Sequence, residues 1–251
     1  MTQPTTKTEE VLNLDYSEKA KDDLWLSSQD TLRKLVGILG ILLPVLLYLF
    51  LLIDTGYTRP MESISHYYMT RACSVFVIVV SLLAIFLLVY KGKEPVDFYF
   101  SAAAGVFAIL LVLFPTNDIR PGHDSIVAVT NLKDGPFRPK FHYFSAGIFL
   151  LCLAYMSIFI FTKSDKSPEQ RTIQKRRRNR LYRTCGIIMV LAILVIIAGK
   201  LNIIPADIYD RNNLTFWMET IAVESFGLSW LVKGEMFLKD KRKSTGTAQS
   251  K

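Results

Sequence analysis

Six stretches of this chain, residues 35–53, 72–90, 98–114, 141–162, 183–202 and 214–232, are apolar over roughly 16 to 22 residues each, and they narrow the possible folds more than any other feature. No Asp, Glu, Lys or Arg interrupts the first four, nor the fifth between 184 and 199. A helix rises about 1.5 Å per residue and a bilayer's hydrocarbon core is about 30 Å thick, so each stretch is near the length that spans it. Buried helices of a soluble protein are the competing reading. Six of them would need a larger polar coat than a chain of 251 residues, 51% hydrophobic, can supply. The expected fold class is therefore all-α: a polytopic bundle of six transmembrane helices within 33–234, preceded by a polar tail over 1–32 and followed by a basic tail over 235–251.

The first tail is rich in Thr, Glu, Lys and Asp, with Leu24, Trp25 and Leu26 able to touch a membrane surface. It does not read as a signal peptide, so the first helix is expected to direct insertion. Orientation follows from the lysines and arginines. With the N-terminus inside, 22 of the 30 fall on the cytoplasmic side and eight on the other, and every loop agrees. The positive-inside rule then places both termini in the cytoplasm, with the plasma (inner) membrane as the expected location.

Nine of those cations lie between 163 and 183, including Lys175, Arg176, Arg177, Arg178, Arg180 and Arg183. Between two spans, this run reads as a topological anchor that meets anionic lipid head groups, and no nucleic-acid partner is expected. Cys73, Cys152 and Cys185 all fall inside spans and read as small apolar packing residues, with no disulfide framework.

Polar groups gather on the opposite side. His66, His123 and His142 all fall there, with Arg71, Asp118, Arg120 and Asp124 nearby. Glu219 enters the last span from that side, at a depth where an ionised carboxylate needs a partner. Arg71 and His142, at similar depth on the second and fourth spans, are the expected partners. A pocket of His66, Tyr67, Arg71, His142 and Glu219 is thus expected, rimmed by Tyr67, Tyr68, Tyr143 and Trp217 and suited to a ligand with one polar and one apolar end. Glu224, near the middle of the same span, is expected to turn toward the bundle interior. Asp97, beside Pro95, reads as an acidic residue at a helix N-terminus.

The histidines lack His-x-x-x-His spacing, and phosphate-cradling glycine loops, Gly-x-Ser-x-Gly and His-Glu-x-x-His are absent. No catalytic residue, metal site or cofactor is assigned on these grounds. The stretch from Pro60 through Ser63, Ile64, Ser65 and His66 to Tyr68, with Phe114-Pro115-Thr116 and Gly227-Leu228-Ser229-Trp230-Leu231, resembles uncharacterised bacterial six-helix membrane proteins that are distantly DRAM-like. That resemblance implies a membrane bundle and no established catalytic residues. Ser63 and His66 are also similar to the Ser/His element of the alkaline ceramidase and progestin-receptor superfamily, which implies zinc-dependent hydrolysis of lipid amides. The chain lacks that superfamily's seventh helix and late paired histidines. Two functions follow as expectations: a non-enzymatic protein that binds or moves a lipid or small amphiphile, and alternatively a membrane-embedded metal-dependent lipid hydrolase.

Overall fold

The computed structural model describes residues 18–92, 94–117, 119, 126–128, 137–164, 167 and 169–239, with side chains from Gln29 onward. The expectations for Leu24, Trp25, Leu26, Asp118, Arg120, His123 and Asp124 lie outside that description. Among the described residues the regular structure is helical, with one isolated bridge between Thr70 and Val127. The long helices are α1 (Glu18–Thr55), α2 (Cys73–Val89), α3 (Pro95–Leu113), α4 (Phe137–Tyr155), α5 (Ile173–Lys200) and, after the short α6 (Ala206–Arg211), α7 (Leu214–Lys233). Four segments are long and apolar enough to cross a membrane: Gln29–Thr55, Pro95–Leu113, Phe137–Ile160 and Ile173–Lys200. The α2 helix is equally apolar but has 17 residues, and α7 carries Glu219 and Glu224.

Local chemistry sets the ends. The α1 helix continues through Pro44 and begins as far back as Glu18, inside the stretch expected to be a tail. It stops where Gly56 takes a φ of +72°, a conformation glycine adopts without strain. Pro95 opens α3, where Glu94 and Asp97 form a reciprocal capping box, so Asp97 occupies the helix-start role read from the sequence. Past Tyr155, α4 widens into a π-turn over Met156–Ile160.

Each long helix packs on its neighbours in sequence, and α7 returns to pack on both α5 and α1, so the six form a closed ring. The closing seam is built from glycines. A methyl group on Gly227 would lie 2.7 Å from the Gly37 carbonyl oxygen, and one on Gly40 would lie 3.2 Å from the Gly227 Cα. Backbones approach this closely only where side chains are absent, as in small-residue helix contacts in bilayers. Hydroxyls add a second tie: Ser157 Oγ lies 2.9 Å from both the Tyr182 carbonyl and Ser229 Oγ.

Exposure is inverted relative to a soluble protein. Ile78, Ile85, Leu151, Phe159, Leu191 and Leu194 are each more than half exposed on the outside of the ring. An apolar surface this continuous marks a membrane-embedded protein. Inside one end, Trp230 is wholly buried among Tyr90, Phe161 and Phe226, at ring-centroid distances of 4.8, 5.3 and 5.8 Å. This cluster stands beside the end rich in arginine; the other end carries the histidines.

The seam generates a prediction. Gly227→Val forces a side chain into the Gly37 backbone and is expected to cost about 1–3 kcal/mol, as overpacking does. Gly147→Ala, whose new methyl would meet nothing within 4 Å, is expected to be neutral or slightly stabilising. Unfolding of both variants in detergent micelles checks the contrast.

Candidate functional site

Residues 60–69 do not continue into the second span. They fold over the histidine end as a separate 3-10 turn, Ile64–Met69, before α2 begins at Cys73. Three contacts fix this cover to α7: the Phe216 amide donates to the Glu62 carbonyl (3.1 Å), the Ile64 amide to Glu219 Oε2 (2.7 Å) and Asn213 Nδ2 to the Pro60 carbonyl (3.0 Å). Ser63 caps the turn, accepting from the His66 amide at 3.2 Å, and its Oγ lies 2.6 Å from His66 Nδ1.

Beneath the cover is a cavity of about 810 Å³ with lining from the 62–66 segment, Thr116, Asn117, α4, α5, α6 and α7. Its formation follows from how α4 and α5 meet. At Gly186 of α5 the two elements touch so closely that a methyl group there would strike Ile158 and lie 3.2 Å from the Ala154 carbonyl. At Gly147 of α4, toward the histidine end, nothing stands within 4 Å. The helices are joined at one end and splayed at the other. Phe144, Leu151 and Ile197 line the gap and are also about half exposed on the ring's outer surface, so the cavity opens sideways toward the apolar surroundings.

The deeper wall is apolar, with Ile148, Leu150, Ile193 and Ile196, while the end under the cover is polar. His66, His142 and Glu219 all line it. Their pairing differs from the expected one. Glu219 accepts from the Ile64 amide, and Lys200, whose ammonium sits 4.9 Å above the Tyr143 ring, lines the same cavity. His142 contacts the Phe114 carbonyl through Nδ1 at 2.8 Å; a carbonyl only accepts, so Nδ1 carries the proton. Arg71 forms an ion pair with Asp54 at 2.6 Å and is not among the lining residues. The expected Arg71–Glu219 attraction is thus replaced by one to the acid at the end of α1.

Tyr67 is likewise not a rim residue. It is fully buried, packed against Phe216 at 6.1 Å as part of the cover's core. Tyr143 does line the cavity, whereas Trp217 stands half exposed outside it. Glu224, expected to face the interior, is only partly buried and has no hydrogen-bond or ion-pair partner among the described residues.

Sequence reasoning missed Lys200, Thr116 and Tyr209. For Lys200, a lone cation at the end of a span was a usable signal. Thr116 Oγ1 is buried without a partner among the described residues and lines the cavity. Tyr209 accepts from the Thr215 hydroxyl at 2.9 Å; burial pushes its phenol above the ordinary value, partly offset by that bond. Its ring packs where Gly199 leaves room, since a methyl there would overlap it. Among the described residues no group of three or more His, Cys, Asp or Glu side chains stands close enough to hold a metal ion.

Comparison with protein-family models, curated proteins and solved structures finds no match to this chain.

Glu219 separates two kinds of substitution. Glu219→Gln keeps an oxygen for the Ile64 amide and is expected to change stability by about 1 kcal/mol or less. Glu219→Ala leaves that buried N–H without an acceptor and is expected to cost about 1–3 kcal/mol. Denaturation of both variants in the same detergent checks the difference.

Proposed function

We propose that this chain crosses the membrane six times, with both termini cytoplasmic, and that it binds or moves a lipid or small amphiphile through the cavity at the extracytoplasmic leaflet. The observation that carries this reading is the cavity's shape. It has an apolar wall open sideways between α4 and α5, and a polar end that holds His66, His142, Glu219 and Lys200. A molecule with an acyl chain and a charged head group meets both requirements at once: the chain enters from the hydrocarbon and the head group stops under the cover. The six-span reading is supported by the closed ring, since α2 and α7 pack in it as equals of the four longer apolar segments. The orientation is supported by the excess of Lys and Arg at the end opposite the histidines.

Anionic lipid head groups are proposed as partners at the other leaflet. Arg176, Arg180 and Arg183 line a shallow groove on α5 that also includes Ile187, which is half exposed, so a head group and the start of its chain have adjacent contacts.

A second reading, a metal-dependent lipid hydrolase, is favoured by one observation, the Ser63–His66 contact inside the cavity. Zinc analysis of purified protein separates the two. Stoichiometric zinc lost together with lipid cleavage on His142→Ala would displace the binding reading.

Two outcomes test the main proposal. Reporter fusions after Lys93 and after Ser167 should read cytoplasmic, and fusions within 118–140 extracytoplasmic; an extracytoplasmic signal at Ser167 overturns the topology. Gly147→Phe fills the splayed gap from a position with no neighbours, and should lower binding of a fluorescent phospholipid by about tenfold or more while leaving unfolding unchanged, since each lost 1.4 kcal/mol is a factor of about ten. Unaltered binding would sink the cavity as the site.

A further inference from the structure

The basic run at the start of α5 serves two faces. At about 100° per residue, Lys175, Arg178 and Tyr182 fall within an arc of about 60°, and Arg176, Arg180, Arg183 and Ile187 within another arc of about 60° on a different flank. The second set forms the groove on the ring's outer surface. The first set turns inward, into a separate cavity of about 550 Å³ at the arginine end. Anchoring a span requires cations near the head groups, and it gives no reason to point them at the ring axis.

The inner cavity draws its lining from all six long helices or from residues beside them. Arg33 comes from α1, Lys163 and Arg171 from the α4–α5 connection, Lys175 and Arg178 from α5, and Lys233 from α7, against three carboxylates, Glu94, Asp97 and Glu235. Lys163 is held by Glu94 at 2.6 Å and Asp97 at 3.6 Å, and the Glu94 hydrogen bond keeps its ammonium above the ordinary lysine value. Lys175 donates to the Lys163 carbonyl (2.9 Å) and Arg178 to the Leu238 carbonyl (2.7 Å). Lys233 stands 5.4 Å above the Phe161 ring. Ser164 and Thr172 add hydroxyls, and Tyr90 and Tyr182 join the lining at the aromatic cluster around Trp230, so the cavity ends there.

We infer that this cavity binds a phosphate-bearing ligand. Cations and hydroxyls from separate elements surround one space. A phosphoryl group, with several oxygens set tetrahedrally, accepts from several directions at once, whereas a carboxylate is met along one plane. The volume exceeds that of a bare phosphate many times over, at about 30 Å³ for one water, and leaves room for the group the phosphate is attached to. The ligand is either a phospholipid head group or a soluble phosphate ester; the recognition chemistry is the same. This site is at the opposite end of the ring from the amphiphile cavity and does not rest on it.

The test uses the full chain in phosphatidylcholine nanodiscs at fixed ionic strength, titrated with pyrophosphate. Tryptophan fluorescence reports binding, because Trp230 touches Tyr90 at the cavity's closed end. Wild-type protein should bind saturably. The double variant Lys175→Gln/Arg178→Gln should bind at least about tenfold more weakly, as loss of charge-assisted hydrogen bonds implies. Arg59→Gln/Arg211→Gln, which removes the same charge at the histidine end, should stay within about threefold. Lys233→Gln, on a different helix, should also weaken binding several-fold, and it decides the matter if the double variant does not fold. Absence of saturable wild-type binding, equal loss in both double variants, or unchanged affinity in Lys233→Gln overturns the site. Adding phosphatidic acid to the nanodiscs identifies the source: competition with pyrophosphate marks a lipid head group, and unchanged pyrophosphate affinity marks a soluble phosphate.

Discussion

Where α7 meets α1, Gly37 and Gly227 let two antiparallel backbones come within contact of each other, and the ring is closed by that approach. In hydrocarbon there is no hydrophobic gain from pressing one apolar helix on another, so association depends on close packing and interhelical hydrogen bonds. The seam supplies the first and the Ser157–Ser229 contact the second. Because α7 is held on both flanks, Glu219 is presented to the cover and Trp230 to the axis at the same time. Both cavities therefore depend on the placement of one helix.

The two ends of the ring are chemically unlike for a physical reason. The histidine end is covered by a turn that provides backbone amides, and an amide can satisfy a carboxylate without a counter-charge, as Ile64 does for Glu219. The arginine end has no such cover among the described residues and is lined by long cationic side chains. Between them, aromatic rings gather around Trp230, and apolar residues such as Leu83, Phe149 and Phe226 line a small void of about 50 Å³. The two cavities share no lining residue.

Much of the fold was legible because its signals are local. Apolar blocks fell inside helices, marking α2, α3 and α7 to within a few residues while α1 and α5 begin well before theirs, and Pro95 with Asp97 marked the start of α3. The extension of α1 back to Glu18 was missed because a polar helical segment and a polar tail have the same composition. Within the candidate site, His66, His142 and Glu219 were found by depth and sidedness. Arg71 shared that depth, yet its partner was set by where α1 ends, which leaves Asp54 in reach. Tyr67 was misplaced because the 3-10 turn that forms the cover looks, residue by residue, like the entrance to a helix.

By itself the sequence determined that the chain is built from long apolar helices, and which segments of it collect Lys and Arg. Each of these depends on backbone hydrogen bonds four residues apart or on solvation of single side chains. Only the tertiary structure decided which carboxylate meets which donor, that α4 and α5 part toward the histidine end, and that one basic run faces two ways. Those outcomes depend on the rotation of each helix about its own axis and on contacts as remote as the 155 residues between Ile64 and Glu219. Periodicity along the chain carries no information about either.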